Sequence, residues 1–512
     1  MNTGASPVTG GDLPLGTAVP PDCPHAILCS IPTWTDLVDY LDRKEWVMKA
    51  LKTAYPRMVL HTFFKQLNKI CSGIHGKEDE LAQPRIVSFT LPVKDDATIF
   101  LLLPDGIPEL FAVLFPSSLL AQVMSFWHCL TVDTSTLTMP LAPGNWRNSD
   151  FYKVHRPLES GADAKNAIRR RFSGIIDEGP ENIRGVPYVS PDDVYIYSTG
   201  MSAIWHAHLM VLHTQSKEIK CAALNLLYSH TCNVLEIWGP GYFINRSIDD
   251  LETLLAMEHA RGPSQPPISA LYFDFPANPL LKYLDVPRFE KARRLIWVPA
   301  NRRRDASPKV FSGLANVMGG AFLLNSASKH YPAFKAYMDA NFEDTYFSED
   351  AVCIEANSRD MKRRVRMINH NAEAIADFFY EDSLKEGSVI KQVLYPKYQT
   401  RQQYEASWSK ATDKPEYGGL LTLNFISKTA AMAFFDALPC YKTATHGTVM
   451  TLALPYAEAS FHNELEWALE NGVDYASVRF SIGMEDLTSL KDGFKAALTK
   501  ATVEHLASLE QK

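Results

Sequence analysis

One lysine in a setting of small and apolar residues is the best candidate in this chain for covalent chemistry. Lys309 is followed by Val, Phe, Ser and Gly, and a glycine pair occupies positions 319 and 320. Apolar surroundings can depress the pKa of a lysine amine, which then forms a Schiff base with a carbonyl compound. A surface lysine without a chemical role is the competing interpretation.

A second candidate is the turn at Gly200 and Met201, where a predicted strand ends and a predicted helix begins. Glycine permits close approach of a ligand to the backbone, and the first amides of a helix bind anions. A phosphate site is therefore predicted at these two residues. Many strand–helix turns contain glycine and bind nothing, which is the alternative.

Two more polar side chains follow apolar runs. Tyr228 comes after the run at 222–227, and its ring can stack on a planar heterocycle, although a buried structural tyrosine is also consistent with the sequence. Asn278 lies between Pro276 and Pro279, where its amide can contact a ring oxygen of a ligand. A plain Asn-Pro turn remains the other interpretation.

The elements that must position these residues alternate between strands and helices over 192–283. This alternation predicts an α/β fold with a mostly parallel sheet covered by helices. A long helical segment is predicted at about 345–380, and the last 130 residues combine strands with helices at 427–438 and 487–510, as in an α+β unit. Residues 1 to about 30 are rich in Gly, Pro, Ser and Thr and are predicted to be a flexible lead.

The length of 512 residues exceeds what one core accommodates. We predict an N-terminal extension at 1–150 whose role the sequence leaves open, a major domain at 151–375 and a smaller C-terminal domain at 376–512. The major domain looks truncated at about 295–308.

Composition excludes several classes of protein. The net charge of −7 gives no support to a nucleic-acid partner, and the apolar region 99–127 is interrupted by Asp105, Glu109 and three prolines, so it cannot span a membrane as one helix. The eight cysteines contain no CxxC pair, so neither a zinc site nor a disulfide framework is predicted, and the cytoplasm is the expected compartment. His206 and His208, two apart on a predicted helix, do not share a face, so no metal site is predicted.

Taken in order, the four candidate stretches resemble the fungal branch of the cystathionine γ-synthase family. These are pyridoxal-phosphate enzymes of the aminotransferase-like fold type I. The resemblance runs from about Ala164 to Leu498, and it includes the strings EANSRD at 355–360 and VRFSIGMED at 478–486. Near the N-terminus, PHA at 24–26, IPTW at 31–34 and YPR at 55–57 resemble the extension of the fungal members.

The resemblance implies a role for each candidate. Lys309 would form the Schiff base with pyridoxal phosphate and then move protons at the α- and β-carbons of the substrate. Gly200 and Met201 would hold the phosphate, Tyr228 would stack on the pyridine ring, and Asn278 would contact the hydroxyl oxygen of that ring.

The resemblance also implies a substrate site and an assembly. Arg479 would bind the α-carboxylate of an amino acid through a bidentate pair. Arg171 would reach the phosphate of a neighbouring subunit in a homodimer or homotetramer. The implied reaction is γ-replacement on an O-acyl-homoserine, with cysteine as nucleophile in primary metabolism, and carbon or nitrogen nucleophiles remain open.

The chain departs from the family pattern just before the lysine. The family has a strand there whose aspartate pairs with the pyridine nitrogen. After a helix predicted at 285–294, residues 295–308 are too few for that strand, a crossover and a second strand. Asp305 is the only acid among them, and Ala306 and Pro308 replace the hydroxyl residues of the family.

We therefore expect impaired activity. Losing one partner of a buried charged pair costs about 3–5 kcal/mol. If that loss falls on the transition state, turnover slows by roughly two to four powers of ten. Either coding sequence is missing from the gene model between about 294 and 308, or the locus has decayed to a catalytically inactive homologue. Both alternatives remain open.

Overall fold

The secondary structure is mixed throughout the part of the chain that is described. The computed structural model describes residues 10–21, 26–51, 160–174, 189–215, 217–260, 268–274, 276–285, 287–289, 309–407 and 416–510, and the backbone of three strands at 97–101, 110–114 and 304–306. Its strands are β1 (Ala18–Val19), β2 (Leu28–Cys29), β3 (Ala97–Leu101), β4 (Leu110–Leu114), β5 (Val194–Tyr197), β6 (Cys221–Leu224), β7 (Tyr242–Asn245), β8 (Leu271–Phe273), β9 (Arg304–Ala306), β10 (Gly320–Leu323), β11 (Ile390–Leu394), β12 (Leu420–Phe425), β13 (Tyr441–Lys442), β14 (Leu452–Leu454) and β15 (Ser477–Ser481).

The helices alternate with these strands along the major domain. They are α1 (Trp34–Leu41), α2 (Glu45–Ala50), α3 (Gly161–Phe172), α4 (Gly200–Thr214), α5 (Ser229–Ile237), α6 (Ile248–Ala260), α7 (Tyr331–Asn341), α8 (Ser348–Ser358), α9 (Met361–Ser383), α10 (Pro396–Gln399), α11 (Arg401–Ser407), α12 (Lys428–Asp436), α13 (Tyr456–Phe461), α14 (Leu465–Glu470) and α15 (Leu487–Glu510). The predicted α/β class is confirmed.

The major domain contains two three-stranded sheets. In the first, β6 lies between β7 and β8 and pairs with both in parallel. In the second, β10 lies between β5 and β9 and is antiparallel to both, so β5 and β9 run in the same direction. All four residues of β5 and of β6 are buried, as expected of strands covered by helices on both faces.

The two sheets have no shared strand within the described residues. β8 pairs there with β6 alone and β9 with β10 alone. The interruption falls between the Asn-Pro turn after β8 and the lysine after β9, where the sequence predicts a missing strand. Residues 290–303 of that stretch lie outside the described residues.

The C-terminal domain has one five-stranded sheet in the order β11-β12-β15-β14-β13. Its strands are antiparallel except for the pair β13 and β14. Helix α15 buries a stripe at i, i+4, i+7, i+8 and i+11, namely Leu490, Phe494, Ala497, Leu498 and Ala501. This stripe packs in the core of the sheet, so the predicted α+β unit is confirmed. Within the part of the chain described, no helix is long and apolar enough to cross a membrane.

The N-terminal segment packs against the C-terminal domain. Trp34 is 1% exposed within the C-terminal core, and its indole donates a 3.3 Å hydrogen bond to Glu458. The amides of Gly10 and Gly11 donate to the carbonyl of Pro439. A flexible lead is therefore wrong for residues 10–21 and 26–30, because their backbone polar groups and apolar side chains have partners far away in the sequence.

The predicted long helix at 345–380 is two helices, α8 and α9, which meet at Arg359 and Asp360. The boundary predicted at 375 falls inside α9. The first turns of α9 bond with the chain near Phe311, whereas its later residue Phe379 lies in the C-terminal core. The boundary predicted at 150 lies outside the described residues, and both boundaries stay predictions.

Candidate active site

Gly320 brings together the two turns that carry the predicted anion site and the lysine. In β10 it pairs with Tyr197, the last residue of β5, and with Ala306, the last residue of β9. The chain therefore leaves both strands at the same edge of the sheet. A Cβ atom at Gly320 would lie 2.2 Å from the carbonyl oxygen of Thr199 and 2.6 Å from Cα of Gly200. Only glycine fits this contact.

The turn at Gly200 has the geometry of an anion site. Helix α4 begins at Gly200, and the side chain of Thr199 caps it by accepting a 3.1 Å hydrogen bond from the amide of Ser202. The first amides of an α-helix have no partner within the helix, and those of Gly200 and Met201 belong to this group. They can donate to a phosphate, as the sequence predicts.

Lys309 begins the loop that follows β9, and its side chain is exposed. Phe311, Ser312 and Gly313 behind it are buried. The amide of Gly313 donates a 2.6 Å hydrogen bond to the carbonyl of Lys309, which closes the loop into a tight turn. The side chain of Lys309 is therefore not enclosed by apolar residues, contrary to what the sequence suggested. The small residues expected next to it are present.

A buried polar network that the sequence did not predict fixes this loop. Arg364 is 3% exposed and donates a 2.8 Å hydrogen bond to the carbonyl of Phe311, and it also pairs with Asp360. Burial lowers the pKa of Arg364, and the charge of Asp360 opposes this effect. Nδ2 of Asn357 donates to Oγ of Ser312 at 2.8 Å. The sequence did contain an indication of this network, because the string at 355–360 that resembles the family includes Asn357 and Asp360.

Tyr228 stands at the start of α5 with its side chain 38% exposed. Its ring stacks on that of His230 with 5.1 Å between centroids. Its amide donates a 3.1 Å hydrogen bond to Oδ2 of Asp274, the residue directly after β8. A buried structural tyrosine is thus wrong, because the residue is partly exposed to solvent. Asp274 was missed because a single acid after a strand gives no signal.

Asn278 and Arg479 meet in the structure. Nη1 of Arg479 donates a 2.7 Å hydrogen bond to Oδ1 of Asn278, and Nη2 donates to the carbonyl of Pro279 at 3.0 Å. The guanidinium lies 4.4 Å from the ring centre of Tyr456 and is 3% exposed. A guanidinium has five N–H donors, and Nε has no hydrogen-bond partner among the described residues. Donors thus remain for a carboxylate.

Arg171 is engaged within its own chain. From α3 it donates to Oε1 of Glu355 at 2.6 Å, to the carbonyl of Glu355 at 2.8 Å and to Oγ of Ser358 at 2.9 Å. Burial alone would raise the pKa of Glu355, but its bonds with Arg359 and Arg171 outweigh burial and lower it. These contacts do not support a role at another subunit's phosphate, which stays a prediction.

The residues present fit pyridoxal phosphate at three of its groups. The turn at Gly200 suits the phosphate, the exposed ring of Tyr228 suits the pyridine face, and Lys309 supplies an amine at the same edge. The chain departs from the family pattern at the pyridine nitrogen, which the family pairs with an aspartate. The only acid of β9 is Asp305, whose backbone pairs with Ala321.

Comparison with known proteins decides the family. Residues 305–499 match the family model of the Cys/Met metabolism PLP-dependent enzymes. A cystathionine gamma-synthase-like enzyme of Amanita muscaria is 34% identical over 96% of this chain and 98% of its own length. The chain belongs to the cystathionine γ-synthase family. Its cofactor is therefore pyridoxal phosphate.

Other relatives agree with this membership. The cystathionine gamma-synthase of Neurospora crassa is 26% identical over 95% of this chain and 98% of its own length. A solved cystathionine gamma synthase of Xanthomonas oryzae, in complex with aminoacrylate and cysteine, matches with a TM-score of 0.50 and 19% identity over 67% of this chain and 98% of that one. At this identity the structural likeness shows the fold alone, fold type I.

The alignment with the Amanita relative also contains many positions that are gaps in this chain. It extends over 595 positions, whereas 96% of 512 residues, about 490, take part from this chain. About 100 aligned positions therefore have no counterpart here. The alignment still spans almost the whole of the relative.

Proposed function

We propose that this protein is a transferase that performs γ-replacement on an O-acyl-homoserine with pyridoxal phosphate, and that its activity is impaired in the chain as written. The observation that carries the proposal is the pairing of Gly320 with both Tyr197 and Ala306, because the strands that precede the turn at Gly200 and the loop of Lys309 then end at the same edge of the sheet. We further propose that it works in the cytoplasm as a homodimer or homotetramer.

Each residue of the site would have one task. Bound pyridoxal phosphate supplies an aldehyde that condenses with amines and a ring that accepts electrons from the substrate carbon. The amides of Gly200 and Met201 would hold the phosphate, and Tyr228 would cover one face of the ring. Arg479 would orient the amino acid through its carboxylate. The amine of Lys309 would bond to the cofactor and then carry protons between the α- and β-carbons.

The identity of the nucleophile remains part of the proposal. Cysteine would give cystathionine and place the enzyme in methionine biosynthesis. A carbon or nitrogen nucleophile would place it in a secondary pathway. Either chemistry uses the same carboxylate site at Arg479.

A catalytically inactive homologue is the second candidate, and the shortness of the sequence at 295–308, with Asp305 as its only acid, favours it. Without an acid opposite the pyridine nitrogen the ring accepts electrons poorly. Sequencing the transcript across codons 290–312 separates an incomplete gene model from decay. A longer message that restores an acidic strand supports the enzyme, and an identical message supports the inactive form.

Spectroscopy of the purified protein tests the proposal directly. Added pyridoxal phosphate should give a visible absorbance band that is lost in Lys309→Ala and kept in Lys329→Ala, a matched change at an exposed lysine. Incubation with O-acetyl- or O-succinyl-homoserine and cysteine should then yield cystathionine slowly, as detected by mass spectrometry. A colourless protein, or a band unaffected by Lys309→Ala, would overturn the proposal.

A further inference from the structure

The carboxylate of Asp274 is bonded to the residue whose ring is predicted to cover the pyridine ring. Asp274 directly follows β8, and its Oδ2 accepts a 3.1 Å hydrogen bond from the amide of Tyr228. Strand β8 is parallel to β6, after which Tyr228 comes, so both residues lie beyond the carboxyl ends of neighbouring strands. Open α/β sheets bind their ligands at this edge.

The same stretch of chain leads from Asp274 to a second predicted cofactor contact. Asn278 comes four residues later, and its Oδ1 accepts the 2.7 Å hydrogen bond from Nη1 of Arg479. Burial lowers the pKa of Arg479, and the negative charge of Asp274 is among the influences that oppose this effect. Asp274 is therefore joined to Tyr228 by a hydrogen bond and lies within electrostatic reach of the group that binds Asn278.

The cofactor needs an acid on one particular side of its ring. Enzymes of pyridoxal phosphate place a charged side chain against the pyridine nitrogen, which makes the ring an electron sink. This nitrogen lies opposite the ring carbon that carries the aldehyde, and hence opposite the lysine amine. Asp305 is in β9, only four residues before Lys309, and so lies on the lysine side. Asp274 follows a strand of the other sheet.

We propose that the carboxylate of Asp274 pairs with the pyridine nitrogen of bound pyridoxal phosphate and keeps a proton on it. A carboxylate has two oxygens with about four lone-pair sites, so one bond from the amide of Tyr228 leaves capacity for another donor. Any activity of the chain as written would then depend on Asp274. The inference rests on the proposed function in one respect: it takes Tyr228 as the residue that covers the pyridine ring.

A structural role for Asp274 is the simpler account. Tyr228 stands just before α5, and a carboxylate at the start of a helix stabilises it through the helix dipole. On that account Asp274 orders the turn after β6 and does nothing to the cofactor. The protonation of the pyridine nitrogen would then be independent of residue 274.

Nitrogen NMR separates these accounts without any turnover. The protein is loaded with pyridoxal phosphate that is isotopically labelled at its ring nitrogen, because protonated and neutral pyridine nitrogens have well-separated chemical shifts. The spectrum is recorded at a pH at which this nitrogen is neutral in a cofactor–amine adduct free in solution. The wild-type protein should nevertheless show the protonated signal.

Two acid-to-amide variants assign that signal to one carboxylate. Asp274→Asn keeps an oxygen for the amide of Tyr228 but has no charge, so the signal should move to the neutral range. Its affinity for pyridoxal phosphate should fall by about tenfold or more, the usual effect of losing a hydrogen bond to a charged group. Asp305→Asn is the matched control and should change neither quantity. Thermal unfolding checks that each variant is folded, and Asp274→Ser takes the place of an unfolded Asp274→Asn.

The outcomes separate this inference from the proposed function. A neutral signal in the wild type, a protonated signal in Asp274→Asn, or a loss of protonation in Asp305→Asn would overturn the role of Asp274 and leave the proposed function standing. A wild-type protein that binds no cofactor would overturn both. A protonated signal lost in Asp274→Asn, from a protein that forms no product with O-acyl-homoserine, would support the inference and count against the proposed function alone.

Discussion

Nη1 of Arg479 donates a 2.7 Å hydrogen bond to Oδ1 of Asn278, a residue 201 positions earlier in the chain. The bond joins the turn after β8 of the major domain to β15 of the C-terminal domain. The bond thus brings the predicted cofactor contact and the predicted carboxylate contact together.

Removing the side-chain amide of Asn278 should weaken both the fold and the site. Asn278→Ala leaves Nη1 of a buried arginine without its acceptor, which costs about 1–3 kcal/mol. Denaturant unfolding should show this loss in the free energy of unfolding, and the affinity for L-homoserine should fall as the guanidinium reorients. Asn278→Asp keeps an oxygen for Nη1 and should be less destabilised. Equal stability of Asn278→Ala and wild type would contradict the importance of the bond.

Replacing Arg479 by lysine should reduce amino-acid affinity by at least about tenfold, because lysine keeps the charge but cannot make the two parallel bonds of a guanidinium. Calorimetry with L-homoserine measures the dissociation constant. Arg401→Lys is the matched control, since Arg401 lies on an exposed stretch of α11 and forms an ion pair with Glu405 four residues along. A dissociation constant that changes as little in Arg479→Lys as in the control would place the carboxylate elsewhere.

Adding one methyl group at Gly320 should displace the turn at Gly200, where a phosphate is predicted to bind. The new Cβ would lie 2.2 Å from the carbonyl oxygen of Thr199, so the backbone must move, at a cost of about 1–3 kcal/mol or more. The affinity for pyridoxal phosphate should fall together with the melting temperature. Gly387→Ala is the control, because Gly387 has φ of +79° and no atom within 4 Å of an added Cβ. It should lose stability through backbone strain while keeping cofactor affinity.

The attachment of the N-terminal segment should weaken as pH rises through the pKa of His462. His462 bonds to Asp42 and to Glu458 at 3.0 Å each. Burial alone would lower the pKa of His462, but these bonds outweigh burial and raise it. Because the folded state holds this proton more tightly than the unfolded chain, the contribution is complete below the ordinary value of about 6.5 and is lost as pH rises through the raised pKa.

Glu458 determines how far the attachment of the N-terminal segment persists as pH falls. Burial would raise the pKa of Glu458, but the bonds from Lys428 and His462 lower it, so its contribution is present above the ordinary pKa of glutamate and lost as pH falls through the lowered value. The segment should therefore be held best between about pH 4.5 and 6.5. Hydrogen exchange at residues 28–41, corrected for intrinsic rates, should show protection falling as pH rises above about 6.5 in wild type and changing less in His462→Gln. Protection that rises over this interval would contradict the sign.

The residues of the candidate site differ in how far the sequence could indicate them. Gly200 and Asn278 follow predicted strands, and Lys309 lies among small and apolar residues, so the local sequence was enough to suggest all three. Arg364 and Asp274 gave no signal of their own, since each acts through a contact with a residue remote in the sequence. The glycine pair that includes Gly320 was visible in the sequence, but its contact with Thr199 was not. The flexible lead was wrong for a similar reason: a Gly- and Pro-rich segment has weak local preferences, and its packing around Trp34 depends on partners more than 400 residues away.

The sequence by itself determined the resemblance to the family, the alternation of strands and helices, and the shortness of the segment before Lys309. These features depend on residue order and on short-range periodicity. The tertiary structure alone decided that Asn278 and Arg479 are hydrogen-bonded to each other, that Lys309 is exposed, and that Arg171 bonds within its own chain. The physical reason is that hydrogen bonds and burial arise between groups that meet only when distant elements pack, and no local pattern records which groups those are.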